Sequence, residues 1–463
     1  MPRTWNQNFF RALLTEQWHA RGFSRSSALA CCVALSIMLP AYAQDQRATP
    51  PAEDVAALLE SAAVALRQHR PHEALPPLGL VEAIEPDNPW LWYFRGLAQR
   101  AIGNPYEAMA CYDTAAAKLG SAEVGDDALA SRIRRDRTVA RRDVFGVSLR
   151  LGGAYDSNVT FLGDIGSTID VISGREDGRV SLGFAADFAP IADETHTFAV
   201  GVRTEQSWHF SIDEFDYQDY GGYLLYARRI APRWEAELRY DYDFTLLGRA
   251  EFLSRHALTP SLTYDWPASV APLRLDETTV YFRASWQDFR FETDRESDRD
   301  GTTRAVGIEQ RARFRPIRDS PWTTQWYAGY FFATVHTDGT QFDRRTHGVY
   351  AGVSAPLMNP WSPNAYLIIP DKELRLALDV AWRRDDYRGR DLVDRDRSRR
   401  RDRLLVAGAT LSQLLISDPD AGEVVVRFFV GYSDVNSNVT TREGATPFSY
   451  EKVVAGFQIQ WSW

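Results

Sequence analysis

The chain has 463 residues, a formal net charge of −9 and 13% aromatic residues. This length accommodates about two or three domains, and the acidic balance argues against nucleic acid as a partner. No run of about 18 apolar residues follows residue 43, which excludes a helical membrane protein.

Residues 1–43 are typical of a secretory signal peptide. Arginines precede an apolar segment from Ser27 to Leu39, and the segment 41–43 ends in the small-x-small pattern that signal peptidase cleaves. Removal of this signal leaves Cys111 as the one cysteine, which cannot form an intramolecular disulfide. We therefore expect an exported protein that is stabilised by other means.

Residues 44–143 are expected to form a periplasmic helical domain. Helical spacing of Ala and Leu begins at Asp54, after a polar linker, and contains a period of 34 residues. Proline is expected at the start of the second helix of each unit, at Pro71 and Pro105, because the first turn of a helix accepts it. This segment resembles tetratricopeptide repeats, with matches at Trp92, Gly96, Gly103, Ala108, Tyr112 and Ala115.

The repeat resemblance implies a groove that binds an exported client. By analogy with that family, the inner helix would present a set of side chains to an extended peptide: Trp90, Tyr93, Leu97 and Arg100. A packing role for the same side chains is the alternative. An arginine-rich segment, 126–143, follows as either a solvated capping helix or a contact to the barrel rim or an anionic partner.

The stretch from Trp234 to Leu246 alternates apolar and polar residues over thirteen positions. Successive strand side chains point to opposite faces, so this pattern predicts a strand with one apolar and one charged face. Soluble strands are usually about five or six residues long, whereas a strand that crosses a bilayer needs roughly 9–11. The stretch therefore predicts a transmembrane β-strand whose charged face lines a watery lumen.

The same alternation recurs through residues 144–463, where we count about fourteen candidate strands. Every second connection contains proline, and the others are hydrophilic and mostly longer, including 288–302 and 385–403. Outer-membrane barrels have short periplasmic turns and long external loops. The predicted fold is thus α+β and multidomain: an N-terminal α-helical tetratricopeptide-like segment followed by a ~14-stranded antiparallel transmembrane β-barrel.

The charged faces of these strands predict the residues that line the lumen: Arg150, Arg179, Asp187, Arg203, Glu205, Glu235, Glu237, Arg239, Asp241, Asp243, Arg283, Arg375, Asp379 and Arg383. Both signs are present, which predicts ion-pair networks between neighbouring strands. It also argues against a pore that selects one sign of charge. The last strand places Phe457, Ile459, Trp461 and Trp463 on one face, which is typical of the signal read by the barrel assembly machinery.

This architecture resembles the surface lipoprotein assembly modifiers of Gram-negative bacteria, including a glycine-rich run that ends the first strand, 152–159. The resemblance implies a protein of the cell outer membrane with its N-terminal domain in the periplasm. Its partners would be outer-membrane lipids, the barrel assembly machinery and an exported protein or lipoprotein client that it passes through or beside the barrel. The alternative is an exopolysaccharide export porin with a polysaccharide client, or a passive outer-membrane channel.

No motif of a hydrolase, metalloprotease or phosphate loop occurs, so we expect no enzyme, no cofactor and no metal. A smaller feature is the echo of Asn158-Val159-Thr160 in Asn438-Val439-Thr440. Asn suits turns, which is one way to account for the echo. The alternative is a weak seam between the first and last strands, helped by Gly152 and Gly153, that opens sideways.

Overall fold

The structure, a computed structural model, describes residues 54–68, 70–120, 126–159, 175–267, 273–290, 298–315, 323–359, 362–369, 372–390, 399–418, 421–440 and 446–463. The expected signal peptide, 1–43, and the linker that follows it lie outside these residues. The chain divides into two compact units, one helical up to Phe145 and one made of β-strands from Gly146 onward. None of the helices in the described ranges is both long and apolar enough to cross a membrane.

The helical unit contains five helices: α1 (Asp54–Arg67), α2 (Pro71–Ile84), α3 (Pro89–Ile102), α4 (Pro105–Gly120) and α5 (Asp127–Arg142). Three begin with proline, and the predicted starts at Pro71 and Pro105 are confirmed. The Asn88 side chain caps α3 by accepting from the Trp90 N–H at 3.0 Å. Gly103 ends the same helix with φ +109°, a conformation that glycine adopts without steric cost.

The core of this unit forms where consecutive helices pack on one another. Leu78, Leu91, Tyr112 and Ile133 are almost completely buried. A Cβ at Gly96 would lie under 3.0 Å from the Tyr112 ring, so the helices approach closely only because residue 96 has no side chain. Whether these helices belong to the tetratricopeptide family stays a prediction.

The second unit is a closed barrel of fourteen antiparallel strands, which confirms the predicted strand number and arrangement. The barrel strands are β1 (Phe145–Asp156), β2 (Asp177–Ala192), β3 (His196–His209), β4 (Tyr217–Ala231), β5 (Trp234–Leu247), β6 (Ala250–Asp265), β7 (Leu273–Phe289), β8 (Gly301–Phe314), β9 (Thr324–Thr337), β10 (Arg344–Pro356), β13 (Leu374–Arg390), β14 (Arg399–Asp418), β15 (Gly422–Ser437) and β16 (Tyr450–Ser462). A two-stranded hairpin, β11 (Met358–Asn359) with β12 (Ser362–Tyr366), lies between β10 and β13. We call the end where β1 begins and β16 ends the near rim, and the opposite end the far rim.

The barrel has an apolar outer face. Leu151, Leu238, Phe282, Val380 and Ile459 come from five strands, and each is between 42% and 52% exposed. Exposed tryptophans also lie near both rims, as in membrane barrels with two interfacial aromatic belts: Trp208 and Trp286 toward the far rim, and Trp234, Trp266, Trp326 and Trp461 toward the near rim. Soluble proteins rarely expose such a large continuous apolar surface to water. This face is therefore the lipid-facing exterior of a transmembrane barrel.

The sequence predicted that the charged segment 385–403 is a loop throughout, and this prediction is wrong at both ends of the segment. β13 continues to Arg390, and β14 already begins at Arg399. Asp386 pairs with Arg401, and Asp385 pairs with Asp402. The alternation continues here with charged residues on both faces, which is why hydrophobicity alone does not reveal these strand ends.

Candidate transport lumen

The strand register places the predicted lumen residues on the inner face. In an antiparallel ladder, directly opposite residues share a face. One such row runs from Arg203 through Gly221 and Asp243 to Arg255, across β3 to β6. The other predicted lumen residues lie on the same face as this row, and the exposed apolar side chains lie on the opposite one.

Tyr223 of β4 lies flat against the inner wall. Its ring covers Gly201 of β3, and its hydroxyl donates to the Asp187 carboxylate of β2 at 2.5 Å. A Cβ at Gly201 would lie under 3.0 Å from both the ring and that carboxylate. The glycine therefore makes room for a tyrosine that ties together strands two apart, an arrangement we call a tyrosine bridge.

Two further tyrosine bridges occur on the other side of the barrel. Each again covers a glycine of the intervening strand: Tyr327 donates over Gly352 to Asp379 at 2.6 Å, and Tyr350 donates over Gly329 to Glu309 at 2.9 Å. In all three bridges the ring runs along the wall instead of projecting toward the barrel axis. This arrangement leaves space in the lumen that upright tyrosines would fill.

Replacing Gly201 by alanine should push the Tyr223 ring off the wall, because the new methyl group would overlap it. We expect a loss of about 1–3 kcal/mol in the free energy of unfolding, which is typical of overpacking, together with lower single-channel conductance. Gly146→Ala is the matched control, since the nearest atom to its added Cβ lies at 3.9 Å. If the two variants unfold at the same urea concentration, packing of the Tyr223 ring on Gly201 does not stabilise the barrel.

Charges on the inner wall are neutralised by their neighbours. Asp243 accepts from Arg255 Nη2 at 2.6 Å and also from Arg203, so one carboxylate serves two guanidinium groups. Asp219 lies 3.8 Å from Arg203 and accepts from the Thr245 hydroxyl at 3.0 Å. Asp241 and Asp243 are each only 3% exposed. They belong to the network of ion pairs on the inner wall.

A second kind of ion pair joins residues two apart on one strand. Such residues point to the same face, and the inner wall uses this spacing repeatedly: Arg239–Asp241 at 2.9 Å, Arg311–Glu309 at 2.7 Å, Arg383–Asp385 at 2.9 Å and Arg400–Asp402 at 2.6 Å. Arg150 and Glu205 approach at 3.4 Å across β1 and β3. The predicted ion-pair networks are therefore present, and these pairs run along the wall instead of across the lumen.

The seam between β1 and β16 has a glycine-rich middle and an ion pair toward one end. Gly153 pairs with Phe457 and Ala154 pairs with Gly456, so few large side chains meet there. Toward the far rim, Lys452 Nζ lies 2.8 Å from the Asp156 carboxylate, and both side chains are at least 97% buried. The Val453 N–H also donates to the Ser157 hydroxyl at 2.8 Å. This ion pair, which the sequence did not reveal, holds the seam closed in the structure.

The echoed asparagines end their strands in similar ways. The Asn158 N–H donates to Asp156 at 3.0 Å, and the Val439 N–H donates to the Ser437 hydroxyl at 3.4 Å. Asn438 accepts from the Arg401 N–H at 2.5 Å, so it contacts β14. The turn interpretation accounts for these contacts. Sideways opening of the seam stays a prediction.

The expected exposure of Tyr93 in the helical unit is wrong. Tyr93 is 5% exposed because α5 covers it, and its hydroxyl donates to Asp136 at 2.7 Å. Burial, together with this hydrogen bond, raises the pKa of Tyr93. Trp90 and Leu97 pack against the same core, and Arg100 donates to Asp143 at 2.6 Å. These side chains have structural contacts, and client binding by them is untested.

Side chains of the final strand lie where the sequence predicted a one-sided pattern. Phe457, Ile459 and Trp461 are on the outer face and are 36–47% exposed. The Trp461 indole donates to the Ala421 carbonyl at 2.8 Å. Trp463 closes the seam at the near rim, because its N–H donates to the Val147 carbonyl at 2.9 Å.

Sequence reasoning missed the bridging tyrosines, Arg255 and Lys452. Their only sequence signal is that they fall on the polar phase of the alternation. A tyrosine at a polar position looks like a break in the alternation of apolar and polar residues. Its role becomes clear only when the strand register places a glycine beside it.

No protein-family model matches the chain, and no curated protein does. Among solved structures, similarity is found to OccAB3 of Acinetobacter baumannii, with 10% identity over 69% of this chain and 99% of that one, and a TM-score of 0.36. The outer membrane protein OpdK of Pseudomonas aeruginosa is 9% identical over 69% of this chain and 99% of its own, with a TM-score of 0.34. A bacterial polysaccharide outer membrane secretin is 9% identical over 68% of this chain and 98% of its own, also with a TM-score of 0.34.

Proposed function

We propose that this protein is a transport channel of the bacterial outer membrane that passes polar solutes through its barrel. The observation that carries the proposal is the contrast between the two faces of one closed sheet. The outer face exposes Leu238 and Ile459, and the inner face holds Asp243 between Arg203 and Arg255. A surface of the first kind suits acyl chains, and one of the second kind suits water.

The orientation of the barrel in the membrane follows from the number of strands and the lengths of the turns. An even number of strands returns the chain to the rim where it entered. Outer-membrane barrels keep their short turns on the periplasmic side. The turns of two or three residues lie at the near rim, namely β2–β3, β4–β5 and β14–β15, except for β5–β6 at the far rim. The near rim is therefore assigned to the periplasm, together with the helical unit that precedes β1, and the far rim to the cell exterior.

The inner charges indicate what kind of solute would pass. The carboxylates whose contacts are described above lie beside an arginine, a lysine or a tyrosine hydroxyl. The wall therefore presents hydrogen-bonding groups without a field of one sign. Such a wall suits neutral or weakly charged hydrophilic molecules. This role needs no chemical step, which is why we assign no catalytic residue.

The test is conductance of the purified chain in planar lipid bilayers, combined with swelling of proteoliposomes in solutions of neutral sugars. We expect discrete current steps in potassium chloride and sugar entry that slows as the sugar becomes larger. Absence of both, with the barrel correctly folded by circular dichroism, would overturn the channel.

We further propose, as a second function, that the helical unit binds an exported client and delivers it to the barrel. The resemblance to surface lipoprotein assembly modifiers supports this, as does the glycine-rich middle of the seam at Gly152, Gly153 and Gly456. The C-terminal aromatic side chains would engage the assembly machinery. A disulfide between Gly153→Cys and Phe457→Cys, which are paired residues, would close the seam permanently. If the cross-linked protein still exports its client, delivery through an opened seam is excluded, and transport through the lumen remains the proposed function.

A further inference from the structure

A patch of basic side chains covers the outer face of neighbouring strands toward the far rim. We call it the basic patch, and its members are Arg304 of β8, Arg345 and His347 of β10, Arg384 of β13, and Arg401 and Arg403 of β14. The five arginines are exposed. They lie on the face that carries the apolar band, so they are outside the lumen.

The register arranges the basic patch in two rows. In the first, His347 lies opposite Arg384, and Arg384 lies opposite Arg403. In the second, Arg345 and Arg401 lie on either side of Asp386, and Arg304 reaches the same row through Thr334. Opposite residues in such a ladder have Cβ atoms roughly 4.5–5.5 Å apart. Two like charges, Arg384 and Arg403, are therefore held directly opposite one another on β13 and β14.

Among the residues that the structure describes, few acidic groups lie close to this patch. Asp386 accepts from Arg384 at 2.9 Å and lies 3.7 Å from Arg401. Asp434 of β15, also on the outer face, accepts from the Asn436 amide at 3.0 Å. Within the described part of the chain, Arg345 and Arg403 form no ion pair with a carboxylate. Like charges directly opposite destabilise a sheet, and an anion between them would remove that cost.

The position of the patch along the strands indicates where such an anion comes from. One step along each strand toward the middle of the barrel, the next outward-facing side chains are apolar. They are Val349 after His347, Trp382 before Arg384 and Leu405 after Arg403, and each is 39–46% exposed. An acyl chain on this apolar surface would bring its head group to the two rows. Guanidinium groups bind phosphate oxygens in pairs and are the side chains best suited to that contact.

We propose that the basic patch binds the phosphorylated head group of a membrane lipid whose acyl chains cover Val349, Trp382 and Leu405. A phosphate monoester, with close to two negative charges, fits between Arg384 and Arg403 better than a zwitterionic head group does. The proposal needs the outer face of the barrel to meet lipid, but it does not need a conducting lumen.

The test is native mass spectrometry of the full chain in neutral detergent, titrated with dipalmitoyl phosphatidic acid or dipalmitoyl phosphatidylcholine. We expect a saturable phosphatidic acid site that R384Q/R403Q weakens by at least about tenfold, the effect of losing one charge-assisted contact. The matched control is R228Q/R233Q, which changes two exposed arginines toward the near rim and should bind as the unaltered chain does. Equal binding of the two lipids, or equal binding by R384Q/R403Q and the unaltered chain, would overturn the proposal.

Two additional measurements separate the possible outcomes. Inorganic phosphate at the same concentration should not displace phosphatidic acid, and displacement would show a free-phosphate site and overturn the lipid assignment. In neutral detergent without anionic lipid, R384Q/R403Q should melt close to the unaltered chain, because loss of the exposed Arg384–Asp386 ion pair and removal of the repulsion between Arg384 and Arg403 oppose one another. Phosphatidic acid should raise the melting temperature of the unaltered chain only; a rise in both would also contradict the site.

Discussion

Replacing Lys452 by methionine is expected to lower the free energy of unfolding of the barrel by about 3–5 kcal/mol. The substitution leaves the Asp156 carboxylate, 1% exposed, without the ammonium group 2.8 Å away. A buried charge that loses its partner keeps its full desolvation cost, whereas a pair replaced by apolar groups loses little. The measurement is urea unfolding in detergent, followed by tryptophan fluorescence.

Two controls separate the ion pair from a simple change of side chain. Lys372→Met makes the same substitution at a half-exposed position and should shift the urea midpoint little. The double variant D156L/K452M should recover much of the loss, because no charge then remains buried. If the single and double variants unfold at the same urea concentration, the Lys452–Asp156 pair does not hold the seam.

Replacing Asp243 by asparagine is the second large effect that we expect. Arg203 and Arg255 then remain within bonding distance of an uncharged amide, and the inner wall gains one positive charge. We expect a loss of about 3–5 kcal/mol in the free energy of unfolding and a reversal potential that shifts toward anion selectivity. Both are measurable on one preparation, by urea unfolding and by bilayer recordings in a salt gradient.

Asp434→Asn is the matched control for this variant. It removes the same charge from β15, where the side chain is on the outer face and bonds to Asn436. Its reversal potential should stay close to that of the unaltered chain. An Asp243→Asn barrel with unchanged selectivity would mean that ions do not pass the Arg203–Asp243–Arg255 network.

Alternation alone was enough to predict the barrel, because a period of two sustained over many residues is the pattern of a strand with two unlike faces. It failed where the period breaks. Adjacent Phe252 and Leu253 are both buried beside Phe289, and the register shifts between Thr245 and Leu246, so the first part of β6 was not recognised. The β5–β6 connection is a two-residue turn at Gly248 and Arg249, both with positive φ, and not a long loop.

Contacts among three strands could not be predicted from one strand at a time. The bridge from Tyr223 to Asp187 depends on Gly201 lying between them, which only the closed register reveals. Tyr93 illustrates the same limit in the helical unit. Helical spacing placed it on a candidate groove, but α5 brings Asp136, 43 positions later, to its hydroxyl.

Whether the apolar face of the barrel meets lipid is tested most sharply at two neighbouring residues of β5, Glu237 on the inner face and Leu238 on the outer face. Each is replaced by cysteine, reconstituted in liposomes, and treated with a charged maleimide or, after bimane labelling, with brominated lipid. Native Cys111 should contribute little, because burial raises the pKa of its thiol to about 11. We expect Glu237→Cys to react with the charged maleimide and bromine to quench only Leu238→Cys. The reverse pattern would mean that the charged face meets lipid and that the transmembrane barrel is wrong.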